Sequence, residues 1–445
     1  MPVIYFILRI MVRLTLRIFY KEFTVHGRER IPRRGPLIVV ANHPNTLMDP
    51  LIVASLCKQM VGFMGNGSLF RNKPLGKLLR FFNVIPVYRK QDIRPGENID
   101  NQDNFEHARA FLAKGGTILI FPEGTSFAEK RLRELRTGAA RIAMSFEDEQ
   151  GHKGGLQVLP VALNYSAPTR TRSRIRIDVG TPIPVGPIAA AHGKGNFEAV
   201  RELTEAIRDQ IADRLVILED AEQELLHTQV TRLYREQFKE EEGLHHGHAA
   251  QIEEIKLADR IRQLKAAAPE VYANLRDRLG RWFSMLDQLR MREGFFRQRF
   301  QQWNVGLLWG LMLAFLVLTS PLFLVGAVTN YLPYWFPGWL APRLTDEIEY
   351  HAPARMVMGM FLFPMWWGLL LFVGWLLGLS GWLLVAAGVA LPFLGAFALL
   401  YAQEARRFRG LSALVHISGR RRSLLEQLQA RRDDLIGDLN QLIRS

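Results

Sequence analysis

Leu37-Ile-Val-Val-Ala41-Asn42-His43-Pro-Asn-Thr-Leu-Met-Asp49-Pro50 decides how the first half of the chain is read. Its five leading apolar residues run without a polar break, as a strand buried on both faces does. His43 therefore sits at the strand's C-terminal edge, where open α/β sheets place their sites. Asp49 to Met60 reads as a helix. An Asp shortly after a His can hydrogen-bond one ring nitrogen and fix the tautomer. The other nitrogen is then a base near neutral pH. A lone His…Asp pair is more often a structural hydrogen bond, so the chemistry needs further residues.

Working outward, Val84-Ile-Pro-Val-Tyr88, Thr117-Ile-Leu-Ile-Phe121 and Val158-Leu-Pro-Val-Ala-Leu163 read as further strands, and Arg174–Val179 alternates like a half-buried one. Helical patterns cover 102–114, stopped by Gly115-Gly116, and 131–146. Strands spaced by helices imply an α/β domain over 24–195, with a mixed or mostly parallel sheet and flanking helices. Two strand ends carry chemistry. Phe121-Pro122-Glu123-Gly124-Thr125-Ser126 leaves its strand in a Gly-containing turn whose N–H groups can face an anion. Glu123 in such a place can also simply cap the next helix. Tyr88-Arg89-Lys90 ends a strand in two cations, and Arg suits bidentate phosphate contact; a solvated strand end is the plainer alternative for Arg89.

Taken in order, Asn-His…Asp after a strand, a strand-end Arg and Phe-Pro-Glu-Gly-Thr resemble the PlsC-like glycerophospholipid acyltransferases. Leu159-Pro160-Val161 matches that family's fourth motif. The resemblance covers about residues 25–190. It implies His43 as general base, Asp49 as its partner, and Arg89, Glu123, Gly124 and Thr125 as the lining of the acceptor's glycerol-phosphate site. It implies acyl transfer from an acyl-CoA or acyl-carrier-protein thioester to glycerol-3-phosphate or lysophosphatidate, with no metal and no cofactor. Five residues separate His43 from Asp49, where four is the family's commonest spacing. The five-residue form resembles the branch of fungal glycerol-3-phosphate and dihydroxyacetone-phosphate enzymes and favours an unacylated acceptor. Ser126 stands where the family often has Arg, which makes Lys130 and Arg131 candidate replacements. No Gly-x-Ser-x-Gly elbow is present, so no acyl-enzyme is expected. The rivals are a lysophospholipid remodelling enzyme or transacylase, and a non-catalytic lipid-binding protein that keeps the fold.

The rest of the chain is a different kind of sequence. Residues 300–342 and 356–403 contain no Asp, Glu, Lys or Arg, while residues 201–300 hold 36 of them. A span needs about 20 apolar residues, so 301–403 reads as transmembrane. The second stretch divides at Gly378-Leu-Ser-Gly381. Three spans are the simple count. Breaking the first stretch at Pro321 into a hairpin keeps both basic ends of the chain on the cytoplasmic side, and the positive-inside rule favours that even count. Residues 196–300 read as a helical arm interrupted near Gly243–Gly247, and 404–445 as a basic cytoplasmic helical tail. His245, His246 and His248 fit a polar loop better than a metal site. At 1–23, Arg9, Arg13, Arg17 and Lys21 recur every four residues among apolar ones. That basic stripe suits an interfacial helix on anionic lipid, or an amphipathic helix packed on the domain.

The balance of 57 Lys+Arg against 43 Asp+Glu, net +14, calls for an anionic partner. The basic residues are spread and no RNA-binding signature occurs, so membrane lipid explains the charge better than nucleic acid does. One cysteine excludes an intrachain disulfide framework. The expectation is an integral protein of an inner or plasma membrane with a cytoplasmic catalytic domain. Its partners are the bilayer, the acyl donor and a phosphorylated glycerol. Oligomeric state is not legible.

Overall fold

The computed structural model describes residues 2–88, 102–241, 248–289, 291, 293, 305–420 and 422–444. It divides into two compact units: 1–217 with 340–360, and 218–339 with 361–445.

The first unit is built on one sheet. Its strands are β1 (Glu22–His26), β2 (Leu37–Ala41), β3 (Val61–Asn66), β4 (Val84–Val87), β5 (Thr117–Ile120), β6 (Gln157–Tyr165), β7 (Arg174–Val179) and β8 (Ile183–Pro184). The order is β1-β7-β6-β2-β5-β3-β4, with β8 on β6. β6 runs antiparallel to β7 and β8, and every other pair is parallel. The mixed, mostly parallel sheet expected from the sequence is present.

β2 shows why its sequence is uniformly apolar. Ile38 and Val40 join one core with α4 (Gln102–Ala113), α5 (Gly138–Glu149), α6 (Val185–His192) and α7 (Phe197–Ala212). Leu37, Val39 and Ala41 join the opposite core, with α1 (Pro2–Phe19) and α2 (Met48–Leu56). Successive side chains of a strand alternate faces, so a central strand between two helix layers has no polar position to offer. α7 lodges Leu203, Ile207 and Ile211 in the first core, which carries this unit past residue 195 to Ile217.

Several elements differ from the sequence reading. No helix occupies 131–137; α5 begins only at Gly138. The intervening chain instead bonds to the motif turn, with Arg136 N–H donating to Pro122 O. α2 ends at Leu56 rather than Met60, and β1, β3 and β8 were not foreseen. Half of the basic stripe faces the protein, while Arg17 and Lys21 stay exposed. Arg9 donates to Lys58 O at 2.9 Å and Arg13 to Ser55 O at 2.8 Å. These carbonyls lie at and just past the C-terminus of α2, where backbone acceptors lack helical partners and cations are favoured. The outward face of α1 is apolar, with Ile4, Ile7, Ile10, Leu14 and Ile18 exposed.

The second unit holds α8 (Ala221–Glu241), α9 (His248–Ala267) and α10 (Pro269–Gln288), packed in one cluster with Leu411 and with Leu428, Leu435 and Leu439 of α14 (Arg422–Arg444). The tail is tied to the arm: Arg278 pairs with Asp434 at 2.7 Å and also with Asp438, and Arg432 with Glu293 at 2.6 Å. His245 and His246 lie outside the described residues, and no cluster able to hold a metal occurs among the described ones.

Among the described residues, three helices are long and apolar enough to cross a membrane, Gly306–Leu344, Ile348–Leu376 and Gly381–Ser412. The first lies in α11 (Val305–Leu344), which runs unbroken through Pro321, so the hairpin expected there does not form. Inside the second unit, polar groups in these helices find partners. Trp366 Nε1–H donates to Thr329 O and Trp367 Nε1–H to Asn330 Oδ1, both at 2.9 Å.

The connection between the first two apolar helices belongs to the sheet's own unit. Ala352 and Met356, in α12 (His351–Leu376), are buried in the core shared by α1, α2 and β2. One crossing by α11 would put residue 346 across the membrane from the sheet, whereas the shared core keeps both on one side. Cysteines placed at Asp346 and at Glu29, in a background without Cys57, should therefore be labelled by an impermeant maleimide from the same side, with α11 not making a single crossing. Labelling from opposite sides would detach 340–360 from this core.

Candidate functional site

The site gathers where β2, β5 and β6 end. Asn42, the first residue past β2, locks two of these ends together. Its Nδ2–H donates to Leu163 O at 3.1 Å, and its Oδ1 accepts from Leu163 N–H at 2.7 Å. His43 comes next. Its ring stacks on Phe121, 4.0 Å between centroids at 11°. Its backbone is gripped on both sides, with N–H donating to Glu123 Oε1 at 2.8 Å and C=O accepting from Phe127 N–H at 3.2 Å.

His43 Nδ1 lies 2.9 Å from Asp49 Oδ2. A carboxylate there accepts, so the proton belongs on Nδ1 and the lone pair on Nε2. Nε2 has no hydrogen-bond partner among the described residues. The five-residue gap closes without strain on the pair. Asp49 N–H bonds Asn45 O at 3.1 Å, and Asn45 N–H bonds Asp49 Oδ2 at 2.7 Å. Residues 45–49 thus form a closed turn running into α2, which takes up the additional residue. Asn45 also reaches Pro168 O, and Thr46 Oγ1 donates to Glu349 O at 3.3 Å. The loop between His and Asp is thereby tied to the connection between apolar helices.

Asp49 is fully buried. Burial pushes its carboxyl up, against the pull of His43, Tyr165 and the Asn45 N–H. Its second oxygen, Oδ1, accepts from Tyr165 Oη–H at 2.5 Å. Glu123 is also buried and also pushed up by desolvation, opposed by the N–H groups of His43 and Arg133. Its Oε2 accepts Arg133 N–H at 3.4 Å. Both of its oxygens thus serve the protein's own backbone.

Gly124 stands at φ +76°, with its N–H closed onto Phe121 O at 3.1 Å. A Cβ there would also meet the flexible Arg136 guanidinium at 2.9 Å, but it is the left-handed φ that calls for glycine. Thr125 follows in the same turn, half-buried. Arg133 lies over the Phe127 ring, 3.4 Å from its centroid, and Arg131 sits 3.9 Å from Glu129. Of the residues singled out in the sequence, His43, Asp49, Glu123, Gly124 and Thr125 come together here. Arg89 lies outside the described residues. Tyr165 and the arginines at 133 and 136 were not foreseen. The alternation of β6 past Leu163 was the one hint that Tyr165 points to the same face as the site. Cys57 is buried beyond α2, its thiol pushed up to about 11 by desolvation, which suits packing and not nucleophilic chemistry.

A half-buried His beside a buried Asp at the carboxyl edge of a mostly parallel sheet, with a backbone-gripping Glu and a tight Gly turn next to it, marks an α/β domain with its candidate site at that edge. Comparison with known proteins makes this specific. Residues 22–164 match the family model described as Acyltransferase. An uncharacterized acyltransferase of Schizosaccharomyces pombe is 25% identical over 49% of this chain and 45% of its own length. Glycerol-3-phosphate O-acyltransferase 1 of Saccharomyces cerevisiae is 24% identical over 49% of this chain and 40% of its own. A 1-acyl-sn-glycerol-3-phosphate acyltransferase of Borreliella burgdorferi is 27% identical over 47% of this chain and 78% of its own. The chain thus spans under half the length of the first two.

Glu123 supplies a test of the geometry. Glu123→Ala leaves two buried N–H groups unpaired and frees the His43 backbone, and activity should fall at least about tenfold, the worth of one charge-assisted hydrogen bond. Glu123→Gln keeps an acceptor for His43 N–H and should recover part. Equal loss in both variants would show that the charge, not the grip on His43, matters.

Proposed function

We propose that the protein is a membrane-bound O-acyltransferase that moves a fatty acyl group from a thioester to the hydroxyl of glycerol-3-phosphate or lysophosphatidate. One observation carries this reading: His43 holds its Nδ1 proton against buried Asp49 and leaves Nε2 without a partner among the described residues. The intact pair beside the motif turn supports catalysis over the lipid-binding rival.

In the proposed reaction Nε2 takes the proton of the acceptor hydroxyl as that oxygen attacks the thioester carbonyl carbon. The C=O π pair moves onto oxygen. When it returns, the C–S bond breaks, and Nε2–H returns the proton to the departing thiolate. Ester and free thiol are the products. Asp49 stabilises the imidazolium between the two transfers. The acyl donor is acyl-CoA or acyl-carrier protein, and no metal or cofactor enters. Arg89, Gly124 and Thr125 are assigned to the acceptor's glycerol phosphate on family resemblance, and Glu123 acts there by fixing His43. The names of the yeast and Borreliella relatives support this acceptor class. The net positive charge and the apolar outer face of α1 support work on lipid at a cytoplasmic membrane face.

The deciding experiment is acyl transfer by the purified full chain, with both donor types, to phosphorylated and unphosphorylated acceptors. His43→Ala should lower kcat by about 10²–10⁴-fold. Asp49→Asn should cost orders of magnitude, and the double variant should be no slower than His43→Ala, because the two act as a unit. Arg89→Ala should raise KM for the phosphorylated acceptor and cut kcat/KM about ten- to a hundredfold, with Arg89→Lys recovering part. Normal turnover by His43→Ala would refute the reading. An unchanged KM in Arg89→Ala would move the phosphate contact elsewhere.

A further inference from the structure

Tyr165 is the last residue of β6, and its ring is fully enclosed. Its hydroxyl donates to Asp49 Oδ1 at 2.5 Å. Asp49 Oδ2 accepts from His43 Nδ1–H and from Asn45 N–H, so three donors converge on one buried carboxylate. Two of the three come from the loop that carries the pair itself. Tyr165 is the one that comes from the sheet.

The strand reaches the loop at two points. Leu163 holds Asn42, the residue before His43, through two hydrogen bonds. Two residues on, Tyr165 holds Asp49. A strand repeats its face every second residue, so one rigid edge fixes both ends of the His–Asp unit. β6 is in turn pinned by its antiparallel pairing with β7, with Tyr165 opposite Ile175. From behind, Tyr20, the residue after α1, packs its ring 6.1 Å from that of Tyr165, and its buried hydroxyl faces the Tyr165 hydroxyl.

From this geometry we propose that Tyr165 is a positioning residue for catalysis, holding Asp49 in place and keeping its charge spread away from the His43 ring. The inference rests on the general-base role proposed for His43. Desolvation favours a neutral Asp49, and donors to the carboxylate favour the ionised form that the imidazolium needs. Removing the phenol donor has two consequences, and they share a sign. Negative charge concentrates toward the imidazole and stabilises its protonated form. Asp49 also takes up a proton more readily as pH falls. The acid limb of the activity profile therefore moves to higher pH. The titratable groups facing Asp49 are His43 and Glu123 at the ends of β2 and β5, Tyr165 from β6 and Tyr20 from the end of α1.

The test uses the full-length detergent-solubilised chain with a saturating thioester donor. Tyr165→Phe removes one oxygen and leaves the packing. It should lower kcat about tenfold, leave the acceptor KM within about twofold, and raise the acid-limb pKa of kcat/KM by about half a unit to one unit. A stronger donor, 3-fluorotyrosine at 165, should move the limb the other way. An unmoved limb in both 165 variants would overturn the proposal. Should His43→Ala keep normal activity, the base itself is misassigned, and that outcome is distinct from a silent Tyr165→Phe beside an inactive His43→Ala.

Discussion

Everything at this site is arranged around one buried carboxylate. Asp49 has no access to water, and an isolated charge there would be untenable. Three donors meet it: an imidazole, a backbone N–H and a phenol. Each is delivered by a different device, namely the end of β2, a closed turn and the end of β6. Each donor favours the ionised form against the push of burial, so the need to satisfy the carboxylate fixes the loop, and the loop fixes His43.

Glu123 shows the same logic from the other side. It was read as an acceptor ligand by resemblance. In the structure its two oxygens take the N–H groups of His43 and Arg133. The first bond fixes where the base starts. The second, with Arg136 N–H on Pro122 O, ties the stretch before α5 to the motif turn, and residues 131–137 are not helical.

How much of this could be read from sequence depends on how local the cause is. β2 and β7 were read to the residue, because an unbroken apolar run and a strict alternation each have a single structural meaning. His43, Glu123, Gly124 and Thr125 were legible because they follow strand ends closely, and Asp49 because it lies within one turn-and-helix start of His43. Tyr165 was not, for its role depends on a register between strands more than a hundred residues apart in sequence. The stripe of α1 was legible as a period but not as a direction. A four-residue repeat says that Arg9 and Arg13 share a face, and cannot say that the orphan carbonyls of α2 will claim it. Pro321 misled in a related way. Proline in a water-exposed helix is a break, whereas α11 carries it within an unbroken apolar helix.

The connection at 340–360 ties the membrane half of the chain to the chemistry, and magnitudes say how. Thr46 Oγ1, midway between base and partner, donates to Glu349 O at 3.3 Å. A neutral bond of that length contributes about 1 kcal/mol at most. Met356 is fully enclosed in the core beneath α2, and burying such a side chain contributes about 1.5–3 kcal/mol. Ala352 adds to the same contact. Apolar burial therefore holds the connection in place, and the hydrogen bond sets its register against the loop. The order of strengths has a structural consequence. A fragment ending before residue 340 would keep the sheet and every donor to Asp49, yet would expose the face that Met356 covers and free Thr46. The loop that carries His43 and Asp49 is thus completed by a segment flanked on both sides by helices long enough to cross a membrane.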